Sequence, residues 1–385
     1  MISSKYTIRE QNEAQILNQI IKEKEISRAK LSQVTSLNKA SVSAITKKLL
    51  ADHLILEKRI GELNTPGRKP IMLTFNNKAA LVIGLDLGYN YIDGMLSFLD
   101  GSEIRRFQLT ETTITKENFF QLVDSVITEL TLQLPQTVYG IIGMTVAIQG
   151  QVLHDKVIST AYDYLTDIDL IQELNAKFDF PVNVENEANL SALGEYTFSS
   201  HFENLISVSL HNSIGAGIVK NGKLEIGKKG YAGQLGHTIL FPDGRKCGCG
   251  NHGCLKQYCT TQVIYSEIKQ AKNLAKVNSD IIAELYHQND ETVQKMLGDY
   301  AKYLAIGINN TIMLYAPELV ILNSALTKKI PEFVTMIQNN LKNQFAKEVN
   351  VINSPISWNP AIYGAIAFSI QRFLNIEQLK LDSLK

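Results

Sequence analysis

Apolar residues recur at helical spacing through the first 50 positions and give way to strand-like apolar runs after position 79. In NEAQILNQIIKEK the residues Ile16, Ile20 and Ile21 fall on one side of a helix. SRAKLSQVTSLNKASVSAITKKLLADHLI then divides around Thr35-Ser36-Leu37 into two short helices, with Leu31 and Val34 expected inward on the first and Val42, Ile45 and Leu49 on the second. Ser27 and Asn38 stand where a side-chain oxygen can accept the unpaired N–H groups of a helix start. That spacing is the spacing of a helix-turn-helix. LILEKRI and IMLTF, joined through ELNTPGRKP, predict a two-stranded wing behind it.

From Ala79 the punctuation changes. Strands AALVIGLDLG and YIDGMLSFLD, a helix around ENFFQLVDSVITELTLQL and a strand YGIIGMTVAI precede Gln149-Gly150. PVNVENEANLSALGEYTF, the strands NLISVSL and GAGIVKNGKL, helices through 260–315 and the strand ELVILNSA follow. Two successive sets that open with strands and close with helices predict two α/β lobes with a cleft between them. AIYGAIAFSIQRFL predicts a last helix packing back on the first lobe. The expected domains are residues 1–75, then 76–190 with 361–385, then 191–360.

Charge changes the picture of the first domain. The 385 residues hold 38 Lys+Arg and 38 Asp+Glu, a neutrality that argues against a nucleic-acid partner. Residues 1–75 alone hold 13 basic against 7 acidic residues, a surplus of +6, and the remainder holds 25 against 31, a deficit of −6. A basic head therefore precedes an acidic body. On the second helix of the pair, Lys39, Ser41, Ser43, Thr46 and Lys47 are expected outward, hydroxyls for base edges or phosphates and lysines for phosphate charge. Ser27 opens the first helix of the pair, and Arg68 and Lys69 in the tip Thr65–Pro70 make a cationic hook for phosphates or a minor groove. The expected partner is double-stranded DNA.

Composition excludes other classes. With 45% hydrophobic and 20% charged residues the chain is neither disordered, collagen-like nor a coiled coil. No apolar stretch approaches the roughly 18 residues that span a bilayer, and MISSKYTIREQNE lacks the apolar core of a signal peptide. A cytoplasmic protein without a membrane partner is expected. All four cysteines lie between 247 and 259, with Gly248, Gly250 and Gly253 allowing a tight loop. Clustered cysteines in a reducing compartment point to metal, and zinc takes four nitrogen or sulfur ligands.

AGQLGH followed by GRKCGCGNHGC, the segment VENEANLSALGE and a leading winged helix ending in GRKP resemble the ROK family of repressors and sugar kinases over essentially the whole chain. SRAKLSQVTSLNKASVS, NEAN and LNSA are similar to its xylose-repressor branch. The resemblance implies an α/β fold in which an N-terminal winged helix-turn-helix precedes a duplicated two-lobed domain of the actin-like ATPase/hexokinase type. It implies structural zinc on His237, Cys247, Cys249 and Cys254, with Cys259 or His252 competing for the fourth position. It places sugar contacts on Asn186, Glu187, Gln234, His237 and Lys256, with Tyr162 where Asn often contacts sugar. Gln234 and Lys256 stand where the family usually has Glu. Exchanging acceptors for donors alters which hydroxyl patterns can be satisfied, so the expected effector is xylose or a related or modified sugar.

A sugar kinase is the competing reading. Family kinases carry phosphate turns of the forms D-x-G-G-T and T-G-x-G and a Gly-rich adenosine turn. Here these read Asp86-Leu87-Gly88-Tyr89-Asn90, Asn212-Ser213-Ile214-Gly215 and Asn323-Ser324-Ala325. Each added Cβ obstructs close approach of backbone to phosphate. Glu187 aligns with the kinases' catalytic Asp and is longer by one methylene, enough to displace a reacting group. The expectation is therefore no enzyme but a repressor of a carbohydrate operon, a homodimer or tetramer, released from its operator by sugar. A regulator controlled by a partner protein is the third reading.

Overall fold

The computed structural model describes residues 8–59, 71–160 and 162–381. They form two compact units, one from the described residues up to Val146 with Ile171–Asn183 and the segment from Ala365, the other from Ala147–Leu170 and Val184–Gly364.

The first unit opens with α1 (Ile8–Glu23), β1 (Ile26–Ser27), α2 (Arg28–Thr35), α3 (Lys39–Ala51), β2 (Ile55–Arg59) and β3 (Ile71–Phe75). Ile16, Leu17, Ile20, Leu31, Val42 and Leu49 are buried in its core. Ser27 Oγ accepts the Lys30 N–H and Asn38 Oδ1 the Ser41 N–H, so both helices of the pair start on side-chain caps. One inward and one outward assignment differ. Val34 is 41% exposed, and Thr35, which shares the stripe of Leu31 at i+4, is buried with its hydroxyl on the Leu31 carbonyl. Thr46 is not on the outward face. It lies four residues past Val42 on the buried stripe, and its hydroxyl bonds the Ser43 carbonyl and accepts from Arg28 Nε. β2 and β3 pair antiparallel as the wing, and β1 adds a third strand in the order β1-β3-β2. Arg68 and Lys69 lie outside the described residues.

The rest of the chain runs β4 (Leu81–Leu87), β5 (Ile92–Phe98), β6 (Glu103–Leu109), α4 (Phe119–Leu130), β7 (Ile141–Ile148), the hairpin β8 (Gly150–Leu153) and β9 (Lys156–Thr160), α5 (Leu170–Lys177) and β10 (Val182–Asn186). Next come α6 (Glu187–Phe198), β11 (Leu205–Leu210), β12 (Ile214–Lys220), β13 (Lys223–Leu224), α7 (Lys256–Cys259), α8 (Thr261–Ala271), α9 (Ser279–His287) and α10 (Glu291–Tyr315). β14 (Leu319–Asn323), α11 (Ala325–Lys329), α12 (Pro331–Asn339), β15 (Asn350–Asn353) and α13 (Pro360–Leu374) complete it.

One sheet has the order β10-β7-β4-β5-β6 and the other β15-β14-β11-β12-β13. In both, three strands form a meander and the fourth and fifth add beside the first, so one plan is used twice. Central strands β4, β11 and β14 are buried along their whole length, as continuous apolar runs require. β6 has no strand signal in the sequence, since EIRRFQL carries three charges. It pairs only with β5, at the sheet edge, where charged side chains are tolerated. In the second unit Val208, Leu322, Leu304, Ile308 and Phe333 join β11, β14, α10 and α12 in one core. Among the described residues no helix is long and apolar enough to cross a membrane.

Candidate DNA-contact, metal and effector sites

Burial of Val42, Ile45, Thr46 and Leu49 leaves the opposite face of α3 to Lys39, Ser43 and Lys47, all exposed and four residues apart in one row. Ser41 is half-buried. Ser27 is engaged as the α2 cap, and the neighbouring Arg28 ion-pairs with Glu57 at 2.8 Å, tying α2 to the wing. Lys48 of α3 pairs with Glu13 of α1 and is not part of the row.

The cysteine loop folds back on the turn that carries His237. Leu240 N–H donates to the Gly253 carbonyl, Leu255 N–H to Thr238, and Cys247 N–H to Asn251. This brings one donor atom each from His237, Cys247, Cys249 and Cys254 within 4.8 Å of one another. Cys247 Sγ lies 3.6 Å from His237 Nδ1, and Cys249 Sγ lies 3.7 Å from Cys254 Sγ. Ligand bonds of about 2.3 Å to sulfur and 2.0 Å to nitrogen in a tetrahedron require edges of about 3.8 and 3.5 Å, so the residues present fit such an ion. Burial and the nearby Lys256 hold the His237 imidazole below its usual pKa, favouring the neutral ligand form. Burial opposes ionisation of Cys247, but bonds from the Cys249 backbone, Gln257 and the neighbouring thiols outweigh it and bring the thiol down to about 7. Burial and the same thiols push Cys254 up to about 12. Cys259 is outside the group: its buried thiol donates to the Leu255 carbonyl at 3.5 Å, and burial raises its pKa. His252, exposed, is outside it as well.

The effector candidates all lie in the second unit. Asn186 caps α6, its Oδ1 accepting from Ala188 and Asn189 and its Nδ2 donating to the Gly150 carbonyl, which leaves one N–H. Glu187 is buried, and its Oε1 accepts from both Ser191 Oγ and Ser209 Oγ at 2.9 Å, with His211 Nε2 at 4.0 Å. Of these partners only Ser191 has a signal in the sequence, as the i+4 neighbour of Glu187; Ser209, on β11, and His211, just after it, reach Glu187 only through the fold. Gln234 and Lys256 are half-buried. The loop of Gln234 is seated on β12 through Gly233, at φ 74°, where a Cβ would stand 1.7 Å from the Ala216 carbonyl oxygen. Tyr162 is buried and stacked on Tyr164, with ring centroids 5.2 Å apart.

The kinase turns are put to other use. Gly88 N–H closes the first turn onto the Tyr91 carbonyl at 2.9 Å. The Tyr91 ring lies over Gly88, its Cε1 within 1.9 Å of where a Cβ would stand, and its hydroxyl donates to Asp86 Oδ2 at 3.2 Å. An aromatic ring thus occupies the side of that glycine on which a Cβ would stand, and the Gly88 N–H is taken up by the turn itself. His211 N–H turns onto Ser213, and Ser324 caps α11 through the Leu326 N–H.

The sequence pattern of the ROK family matches residues 82–372. The xylose repressor of Bacillus subtilis (strain 168) is 31% identical over 97% of this chain and 99% of its own length. A crystal structure described as a ROK family transcriptional regulator, homolog of the E. coli MLC protein, superposes with a TM-score of 0.80 at 23% identity over 98% of this chain and 99% of that one. A ROK family glucokinase from Streptomyces griseus in complex with glucose and AMPPNP superposes at 0.67 and 22% identity, over 99% of its chain but 76% of this one.

Proposed function

The chain belongs to the ROK family, and from that membership we propose that it is a sugar-responsive DNA-binding repressor of a carbohydrate-utilisation operon and not a sugar kinase. The observation that carries the reading is similarity to a xylose repressor along the whole chain, head included. The Gly88 N–H, closed onto the Tyr91 carbonyl, supports the same conclusion from chemistry, since a phosphate turn must offer open backbone N–H groups.

Lys39, Ser43 and Lys47 are the proposed contacts of α3, with Ser41 and Ser27 bonding phosphate at the helix starts and Arg68 and Lys69 extending the contact from the wing tip. Asn186, Glu187, Gln234, His237, Lys256 and Tyr162 are the proposed effector residues. Glu187 Oε2, the oxygen its serine partners leave over, is suited to accept a sugar hydroxyl. His237, Cys247, Cys249 and Cys254 would hold zinc. With no ligand position left for water, the ion would supply a structural crosslink and no chemistry. A homodimer or tetramer in the cytoplasm, reading a two-fold operator, completes the proposal.

Duplex binding with and without a panel of free and phosphorylated pentoses and hexoses tests it. Binding that one sugar weakens is expected. Sugar-dependent ADP release in a coupled assay would overturn the reading in favour of a kinase.

A further inference from the structure

The recognition helix α3 ends in a Schellman turn. Leu54 N–H donates to the Leu49 carbonyl and His53 N–H to Leu50, with His53 in the left-handed region at φ 55°. The motif satisfies the last helical carbonyls and turns the next three outward. Each of those three accepts a donor, two from Asn76, which follows β3 directly and continues the wing hairpin, and one from Tyr139, far outside the head. Tyr139 Oη donates to the Asp52 carbonyl at 2.6 Å, Asn76 Nδ2 to His53 at 2.8 Å and Asn76 N–H to Leu54 at 3.0 Å. A head by itself would keep the Asn76 bonds but not the bond from Tyr139; together the two residues hold three consecutive carbonyls at the end of α3, and Tyr139 is the member of this clamp that lies outside the head.

Tyr139 is itself held. Its N–H donates to the Ala79 carbonyl at 3.0 Å, and its ring meets Phe373 of α13 edge-on, with centroids 5.2 Å apart and planes at 74°. At its other end α13 touches α6 backbone to backbone. A Cβ on Gly364 would lie 1.7 Å from the Leu190 carbonyl oxygen, and one on Gly194 would lie 2.3 Å from that of Pro360. Reciprocal glycines leave no side-chain layer to absorb a shift, so the start of α13 must follow α6. α6 begins at Glu187, on the Asn186 cap.

We propose that Tyr139 is a positioning residue for DNA recognition, through which α13 holds the end of α3 and a sugar bound at the start of α6 alters that hold. The proposal rests on the reading of the chain as a sugar-responsive repressor. The sugar acts only if it binds two states of this linkage unequally.

Full-length wild type, Tyr139→Phe and Asn76→Ala are compared on a duplex that the wild type selects from a random-sequence pool. Duplex Kd is measured with and without the panel sugar that weakens wild-type binding most, and sugar Kd is measured calorimetrically without DNA. Tyr139→Phe keeps the ring and removes one hydrogen bond. It is expected to leave sugar Kd and thermal midpoint unchanged, to raise duplex Kd about three- to tenfold, the range one neutral hydrogen bond supports, and to shrink the factor by which sugar weakens binding. Asn76→Ala is expected to change both in the same direction. A residue that merely stabilised the fold would lower the midpoint and leave the sugar factor alone. Unchanged duplex Kd and sugar factor in Tyr139→Phe overturn the proposal and leave the repressor reading intact. A wild type that selects no duplex, or whose binding no sugar alters, overturns the repressor reading and the proposal together.

Discussion

Three thiols and one imidazole converge on a point that a four-coordinate ion fits, and protons compete for the same atoms. With Cys247 brought down to about 7 and Cys254 pushed up to about 12, bound metal must displace protons even at neutral pH. Ligand atoms bind deprotonated, so lowering pH favours the free, protonated set. Zinc retained after dialysis should fall as pH drops from about 7.5 to 5.5; retention that does not change across that range would refute the site. Cys249→Ser should remove the ion and with it up to about 4 kcal/mol of stability at a free zinc concentration 1,000 times its Kd, read as a lowered thermal midpoint. Cys259→Ser should leave zinc content intact. On α3, Lys39→Ala and Lys47→Ala should each weaken duplex binding for all sequences alike and reduce the salt slope by about 1. The cysteines were legible because their spacing in the chain is their spacing in space. Tyr91 was not, since only the folded turn shows that its ring returns onto Gly88.

Elements inherit their limits from such details. α3 is set at one end by Asn38 and at the other by the turn at His53. Asn38→Ala should cost about 1 kcal/mol of stability and weaken DNA binding further through a loosened first turn, measured by denaturant midpoint and duplex Kd together. The α6–α13 crossing is less forgiving. Gly364→Ala sets a methyl against a backbone oxygen that cannot rotate away and should cost about 3 kcal/mol or more by thermal unfolding. Apolar periodicity made most elements readable in advance, including the winged head and the strands β4, β5, β7, β11, β12 and β14. It failed at β1, β6 and β15, which are short or polar and become strands only because a neighbour offers an open edge. It also failed at Thr46, a hydroxyl whose position on the buried stripe outranked its polarity because Arg28 and Ser43 satisfy it.

At the scale of the whole molecule, neutrality conceals a head at +6 and a body at −6. Duplex affinity should therefore fall steeply with salt, because the contact releases counterions. A slope near zero would remove DNA from the account. What local chemistry fixes is legible in the chain alone: a basic winged helix-turn-helix, caps at Ser27 and Asn38, α/β alternation, a cluster of cysteines, and phosphate turns altered residue by residue. These follow from periodicity, spacing and side-chain type, which need no partner distant in the chain. What depends on such partners is settled by the fold. Its packing alone joined Glu187 to Ser209, laid Gly364 on Leu190 and set Tyr139 against the end of α3. Each of these contacts spans 22 to 174 positions, and its energy comes from groups that no local pattern brings together.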